Sequence, residues 1–211
     1  MNAIYHTCSW LTRSLFTVLY RTTWHGLGNI PMKGPVIVAS NHVSFFDPPL
    51  VGCSAPRDFH YLARETLMGN PFSAWLLPRL NVIGVDREGG KDTQAVRHVL
   101  KSLKEGKAMV IFPEGTRSAD GQLQQAKAGI GLLACRSRAQ VLPVRVFGAH
   151  SVYSRKHKIP SARGRIKIVY GKCLQPDEFD PGKGTDERYQ VAINRIMGAI
   201  AALENPHDFA D

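Results

Sequence analysis

The feature that most constrains this chain is an apolar run that stops at a histidine. Residues 36–39 (Val-Ile-Val-Ala) follow the turn pair Gly34-Pro35 and have the length and composition of a buried strand. The run passes into Ser40-Asn41-His42 and closes with Asp47-Pro48. A buried strand ending in this way puts His42 and Asp47 at the carboxyl end of a sheet, where open α/β proteins place their chemistry. Histidine is suited to general-base work, and a carboxylate on its other ring nitrogen fixes the tautomer and supports the imidazolium. Apart from Ser44, the stretch offers no serine or cysteine nucleophile, so the base is expected to activate a hydroxyl of the substrate. A second reading needs no catalysis: Asp47 caps a helix whose first residue is Pro48, and His42 is a loop residue.

Downstream, strands alternate with helices. Residues 59–63 read as a strand ending at Arg64-Glu65, 71–77 as a short helix, and 81–85 as a strand ending at Asp86-Arg87. Arg87 suits an anion ligand, because its fork matches phosphate oxygens, or else a solvated partner of Asp86 or Glu88. Residues 92–105 are a helix, with Val96, Val99, Leu100 and Leu103 at helical spacing, Asp92 at its start and Gly106 after its end. The buried strand 108–112 runs into Pro113-Glu114-Gly115-Thr116-Arg117-Ser118, a turn whose amides and Arg117 together suit a phosphate. A helix over 121–138, strands over 141–147 and 165–170, and an amphipathic helix over 185–204 complete the series.

Two nucleotide-like motifs do not hold up. The run 129–134 has the letters of a dinucleotide fingerprint, but the polar run 122–127 precedes it instead of a strand, so its glycines are expected to be helix packing sites. Gly89-Gly90-Lys91 ends like a P-loop, yet Asp92 stands where a hydroxyl must hold magnesium.

With 211 residues, 44% hydrophobic, no repeats and no low-complexity linker, the chain has enough material for one sizeable core. Lys and Arg number 27 against 17 Asp and Glu, a net charge of +10 that calls for an anionic partner: nucleic acid, an anionic bilayer or an acidic carrier protein. The basic residues lack the interleaved aromatics and motifs of a nucleic-acid binder. Seven of them lie in 151–172, which has no Asp or Glu. Cys8, Cys53, Cys135 and Cys173 form no C-x-x-C pair and read as reduced thiols. Residues 5–24 are apolar but interrupted by Arg13 and Arg21, too short a run to span a bilayer. They read as an amphipathic helix lying on a membrane surface or packed on the core of its own domain.

Four stretches in this order resemble the motifs of the lysophosphatidic acid acyltransferase family of glycerolipid acyltransferases. Residues 41–48 are similar to its first motif, the His-x4-Asp box, and 82–87 to its second. Residues 112–118 are similar to its third, and 141–144 to its fourth. The resemblance implies a mixed α/β sheet flanked by helices, with residues 1–28 as a membrane-associating amphipathic helix and 29–211 as one acyltransferase domain. It implies transfer of an acyl chain from acyl-CoA or acyl carrier protein to a lysophospholipid hydroxyl, without metal or cofactor, at the cytoplasmic face of a membrane as a peripheral or monotopic protein. His42 and Asp47 would be catalytic, while Arg87, Glu114, Gly115, Thr116 and Arg117 would hold the acceptor's glycerol phosphate.

Overall fold

The structure, a computed structural model, describes residues 3–85 and 92–206. Seven strands form one sheet: β1 (Thr23–His25), β2 (Val36–Ser40), β3 (Phe59–Arg64), β4 (Val82–Val85), β5 (Ala108–Ile111), β6 (Gln140–Phe147) and β7 (Lys167–Tyr170). Their order is β1-β7-β6-β2-β5-β3-β4, and every neighbouring pair is parallel except β6 and β7. The helices are α1 (Ala3–Tyr20), α2 (Asp47–Gly52), α3 (Pro71–Arg79), α4 (Asp92–Lys104), α5 (Ala128–Ser137), α6 (Ala149–Tyr153), α7 (Pro176–Phe179) and α8 (Arg188–Ala201). This is the mixed sheet with helices on both faces that the sequence leads one to expect.

The pleat of β2 shows why both faces must be covered. Val36 and Val38 join one apolar cluster with Phe16 and Tyr20 of α1, Leu50 and Val51 of α2, and Val152 of α6. Ile37 and Ala39 point the other way, into a cluster with Val99 and Leu103 of α4, Leu133 of α5, and Ile193, Ile196 and Ile200 of α8. Side chains that alternate between two apolar layers leave β2 no solvated face, hence its unbroken apolar run. Of the two glycines expected to be packing sites, Gly131 is one: a Cβ there would strike the Tyr189 carbonyl oxygen, so its absence lets α8 approach α5, whereas a Cβ at Gly129 would meet open space.

Two local readings need correction. The helix expected over 121–138 begins only at Ala128. Backbone amides before that point are taken by side chains: Gly121 N–H donates to Ser118 Oγ, Gln122 N–H to Asp120 Oδ1, and Gln124 N–H to Glu114 Oε2. Such bonds compete with the helical ladder. The N-terminal helix stops at Tyr20, where Arg21 adopts a left-handed conformation, and residues 23–25 join the sheet beside β7. That helix also has two different sides. Tyr5, Phe16 and Tyr20 are buried in the domain, whereas Trp10, Leu11, Leu15, Val18 and Leu19 are exposed on the opposite side. Among the described residues, no helix is long and apolar enough to cross a membrane.

Candidate active site

β2 and β5 are parallel neighbours, with Ala39 opposite Ile111, so the loops that follow them leave the sheet at the same edge. Three residues beyond each member of that pair, the loops meet: the His42 N–H donates to Glu114 Oε1 at 2.8 Å. The Ser118 N–H returns to the His42 carbonyl at 2.7 Å. On the other side, Asn41 replaces a missing rung of the sheet, its amide accepting from Val146 N–H at 2.7 Å and donating to Val146 C=O at 3.1 Å. The backbone that carries His42 is therefore clamped between β5 and β6.

The ring is fixed as firmly. His42 Nδ1 lies 2.8 Å from Asp47 Oδ2, and the ring stacks on Phe112 at 4.1 Å between centroids. The same Asp47 oxygen accepts from the Val43 and Ser44 amides, at 2.6 and 2.7 Å. Asp47 is fully buried. Burial pushes its carboxyl up from the ordinary range, opposed by His42 and the two amides. Asp47 is thus the first residue of α2, not its cap: Phe46 occupies the capping position, and the carboxylate reaches back to the histidine loop. Nδ1 is engaged by Asp47, and among the described residues no hydrogen bond holds Nε2. Ser44 is no nucleophile; it is buried, its hydroxyl donating to the Tyr153 carbonyl and accepting from Phe46 N–H.

In the turn after β5, Glu114 faces the histidine loop. It is buried, and both carboxylate oxygens already accept backbone amides, Oε1 from His42 and Oε2 from Gln124. Burial pushes its carboxyl up to about 7 against those two bonds. Glu114 braces the histidine loop. Gly115 turns the chain with φ +70°, and a side chain there would strike the Lys127 stem at 2.8 Å. Thr116 is exposed. Arg117 lays its guanidinium over the Phe45 ring, 3.3 Å from the centroid, with Nη1 buried and without an acceptor among the described residues. Arg87 lies outside the described residues. Among the described residues no group of His, Cys, Asp and Glu is arranged to hold a metal ion.

Sequence reasoning did not single out Asn41, Ser118, Gln124 or Phe45 as contributors. Their contribution depends on which strands are neighbours, and no local pattern encodes that.

Comparison with known proteins places this geometry. The acyltransferase family model matches residues 21–147. The chain is 30% identical over 203 residues to a 1-acyl-sn-glycerol-3-phosphate acyltransferase of Pseudomonas aeruginosa, covering 92% of this chain and 75% of that one. A chloroplastic 1-acyl-sn-glycerol-3-phosphate acyltransferase of Arabidopsis thaliana is 24% identical, over 81% of this chain and 48% of its own length. A Borreliella burgdorferi enzyme of the same name is 31% identical over 61% of this chain and 52% of its own. The chain thus spans about half the length of these last two relatives. The crystal structure of a 1-acyl-sn-glycerophosphate acyltransferase from Thermotoga maritima shares the fold, with TM-score 0.76, 24% identity, and coverage of 96% of this chain and 81% of that one. The match spans more than half of the chain and includes the loops that hold His42, Asp47, Glu114 and Arg117: the chain belongs to the acyltransferase family.

Proposed function

We propose that this protein is an O-acyltransferase that moves a fatty acyl chain from a thioester donor, acyl-CoA or acyl carrier protein, to the free hydroxyl of a lysophospholipid. The acceptor we assign is 1-acyl-sn-glycerol-3-phosphate, and the product phosphatidic acid. The observation that carries the reading is His42, held at its amide, its carbonyl and Nδ1 while Nε2 remains for a substrate. The names of the relatives support the same reaction class.

In this mechanism His42 Nε2 takes the proton of the acceptor hydroxyl as its oxygen attacks the thioester carbonyl. Asp47 stabilises the imidazolium that forms. The tetrahedral oxyanion collapses with cleavage of the carbon–sulfur bond, and the departing thiolate takes the proton from His42. No covalent enzyme intermediate forms. Arg117, with Gly115 and Thr116 of the same turn and Arg87, holds the glycerol phosphate so that its hydroxyl meets Nε2, which is catalysis by positioning. Glu114 contributes by holding His42.

A lipid substrate has to be met at a bilayer. The exposed apolar side of α1, with Trp10, Leu11, Leu15, Val18 and Leu19, suits shallow insertion, and the basic surface suits an anionic leaflet. We place the protein on the cytoplasmic face of a membrane as a peripheral or monotopic enzyme.

The test is transfer of labelled acyl groups from acyl-CoA and from acyl carrier protein to a panel of lysolipids. Transfer to 1-acyl-sn-glycerol-3-phosphate by the wild type, lost in His42→Ala, is the expected result. Lysolipid binding without transfer from either donor would leave a lipid-binding module in place of an enzyme.

A further inference from the structure

Beyond the motif residues, one side chain stands at the same turn. Arg155 follows α6, and its Nη1 donates to the Arg117 backbone carbonyl at 3.3 Å. It is close enough for its charge to push the Arg117 guanidinium down, after burial, which acts more strongly. Two guanidinium groups therefore share one corner of the site. Among the described residues neither makes a salt bridge to a carboxylate. The Asp47 carboxylate acts on Arg117 as well, but more weakly than Arg155 does. Like charges gathered without a salt-bridge partner are unfavourable, and an anion between them offsets the cost.

The segment that carries Arg155 is also fixed in place. Ser154 is buried and its N–H donates to His157 Nδ1 at 3.1 Å, with the Ser154 hydroxyl 2.9 Å from the same nitrogen. The His157 N–H closes the turn onto the Ser154 carbonyl at 3.2 Å, and Lys156 N–H donates to Ser154 Oγ. Just upstream, the Tyr153 carbonyl accepts from Phe45 N–H and from the Ser44 hydroxyl, tying α6 to the histidine loop. The Tyr153 ring lies 4.8 Å from Phe45, the ring over which Arg117 is stacked. Arg155 is thus delivered to Arg117 by a pinned turn that is anchored to the catalytic loop.

We propose that Arg155 is a second phosphate ligand of the acceptor site, and that with Arg117 it selects a phosphate monoester headgroup over a phosphodiester. This rests on the acceptor reading above. A monoester carries about −1.5 to −2 at neutral pH and offers three acceptor oxygens, enough for two forks. A phosphodiester carries a single charge and has fewer free oxygens, so one guanidinium suffices for it. Arg155, Lys156 and Lys158 are all exposed in this basic segment, and of the three it is Arg155 whose side chain bonds the Arg117 backbone.

The experiment compares wild type, Arg155→Gln, Arg155→Lys and Arg117→Ala on full-length protein, after thermal unfolding has shown each variant folded. Binding of glycerol 3-phosphate is followed by calorimetry. Transfer from acyl-CoA to lysophosphatidic acid is compared with transfer to lysophosphatidylglycerol, and vesicle binding is recorded in parallel. Arg155→Gln is expected to weaken glycerol 3-phosphate binding about tenfold. It should raise KM for lysophosphatidic acid to the same extent and cut the preference for the monoester, with kcat and vesicle binding little changed. Arg155→Lys should fall between, since it keeps charge without the fork. If both Arg155 variants bind glycerol 3-phosphate and use lysophosphatidic acid as the wild type does, while Arg117→Ala does not, the assignment is wrong. Weaker vesicle binding with an unchanged glycerol 3-phosphate affinity overturns it too, in favour of a bilayer contact. Should the wild type bind glycerol 3-phosphate in an Arg155-dependent way yet transfer nothing, the anion site stands and the acyltransferase reading falls.

Discussion

At the histidine loop, Asp47 is fully buried, its Oδ2 takes three donors, and the backbone of His42 is bonded on both sides to the turn after β5. At the other end of that turn, Arg117 and Arg155 sit together, neither in a salt bridge with a carboxylate among the described residues, and Thr116 is exposed beside them. Apart from Asp47 Oδ1, which is buried without a partner, the first region satisfies its polar groups within the protein, so its geometry exists before substrate arrives. The second holds charge in excess, so it reaches its lowest free energy only with an anion bound. Preorganisation belongs where a proton must move along one line, and unspent charge belongs where a ligand must be captured.

The comparison is tested most severely at the dyad. His42→Ala is expected to cut kcat by about 10²–10⁴-fold, the usual worth of general-base catalysis, with the unfolding midpoint little changed. Asp47→Asn should cost a comparable factor through the wrong tautomer. Asp47→Ala should in addition destabilise the fold, because the buried Val43 and Ser44 amides each lose an acceptor, at about 1–3 kcal/mol apiece. Steady-state kinetics beside chemical denaturation separates the two effects. If Asp47→Ala unfolds as the wild type does, the bonds from the Val43 and Ser44 amides to Asp47 Oδ2 do not hold the loop.

Glu114 gives a second handle, through pH. Its carboxyl sits at about 7 in the folded protein, above the ordinary 4.5. Between those values the native state holds a proton that the unfolded chain has released. Stability from this group is therefore full below about pH 4.5, falls as pH rises to about 7, and is level beyond. The change is of the order of 3 kcal/mol at most. Glu114→Gln should flatten this part of the profile. Denaturant unfolding of both proteins near pH 5 and pH 8 reads the difference directly. An unchanged slope in the variant would mean that burial does not hold the proton on Glu114.

How much of this was legible beforehand follows from where each interaction lives. The interior strands β2 and β5 declare themselves as apolar runs because both of their faces are buried. His42 and Asp47 are close in sequence and lie within one loop, so their pairing is visible as a spacing. The edge strand β1 is three residues long and is held by its register with β7, so it leaves no pattern of its own. Residues 121–127 have helical composition, yet Ser118, Asp120 and Glu114 draw off their amides, a competition that only the folded turn reveals. Glu114 shows the same limit at the site. A carboxylate in a glycine turn suggests a ligand, but its partners come from His42 and from Gln124, one of them 72 residues away. Arg155 lies outside every recognisable motif and meets Arg117 because α6 is tied to the histidine loop.

The smallest effect expected is at Lys158, and it separates captured substrate from bound surface. Lys158 is exposed in the basic segment that also carries Arg155. Each lysine near an anionic leaflet contributes about 1 kcal/mol of attraction, which fades within a Debye length. Lys158→Gln should therefore weaken binding to vesicles containing phosphatidylserine by up to about fivefold at low salt, with the difference closing as salt is raised. The KM for a short-chain, water-soluble lysophosphatidic acid should not move, because Lys158 bonds neither Arg117 nor the turn that positions Arg155. The two cations three residues apart would then report different events, one the headgroup and the other the bilayer. A rise in that KM would extend the charged region of the site to the whole segment. Arg155 would then be one charge among several, not one half of a fitted pair.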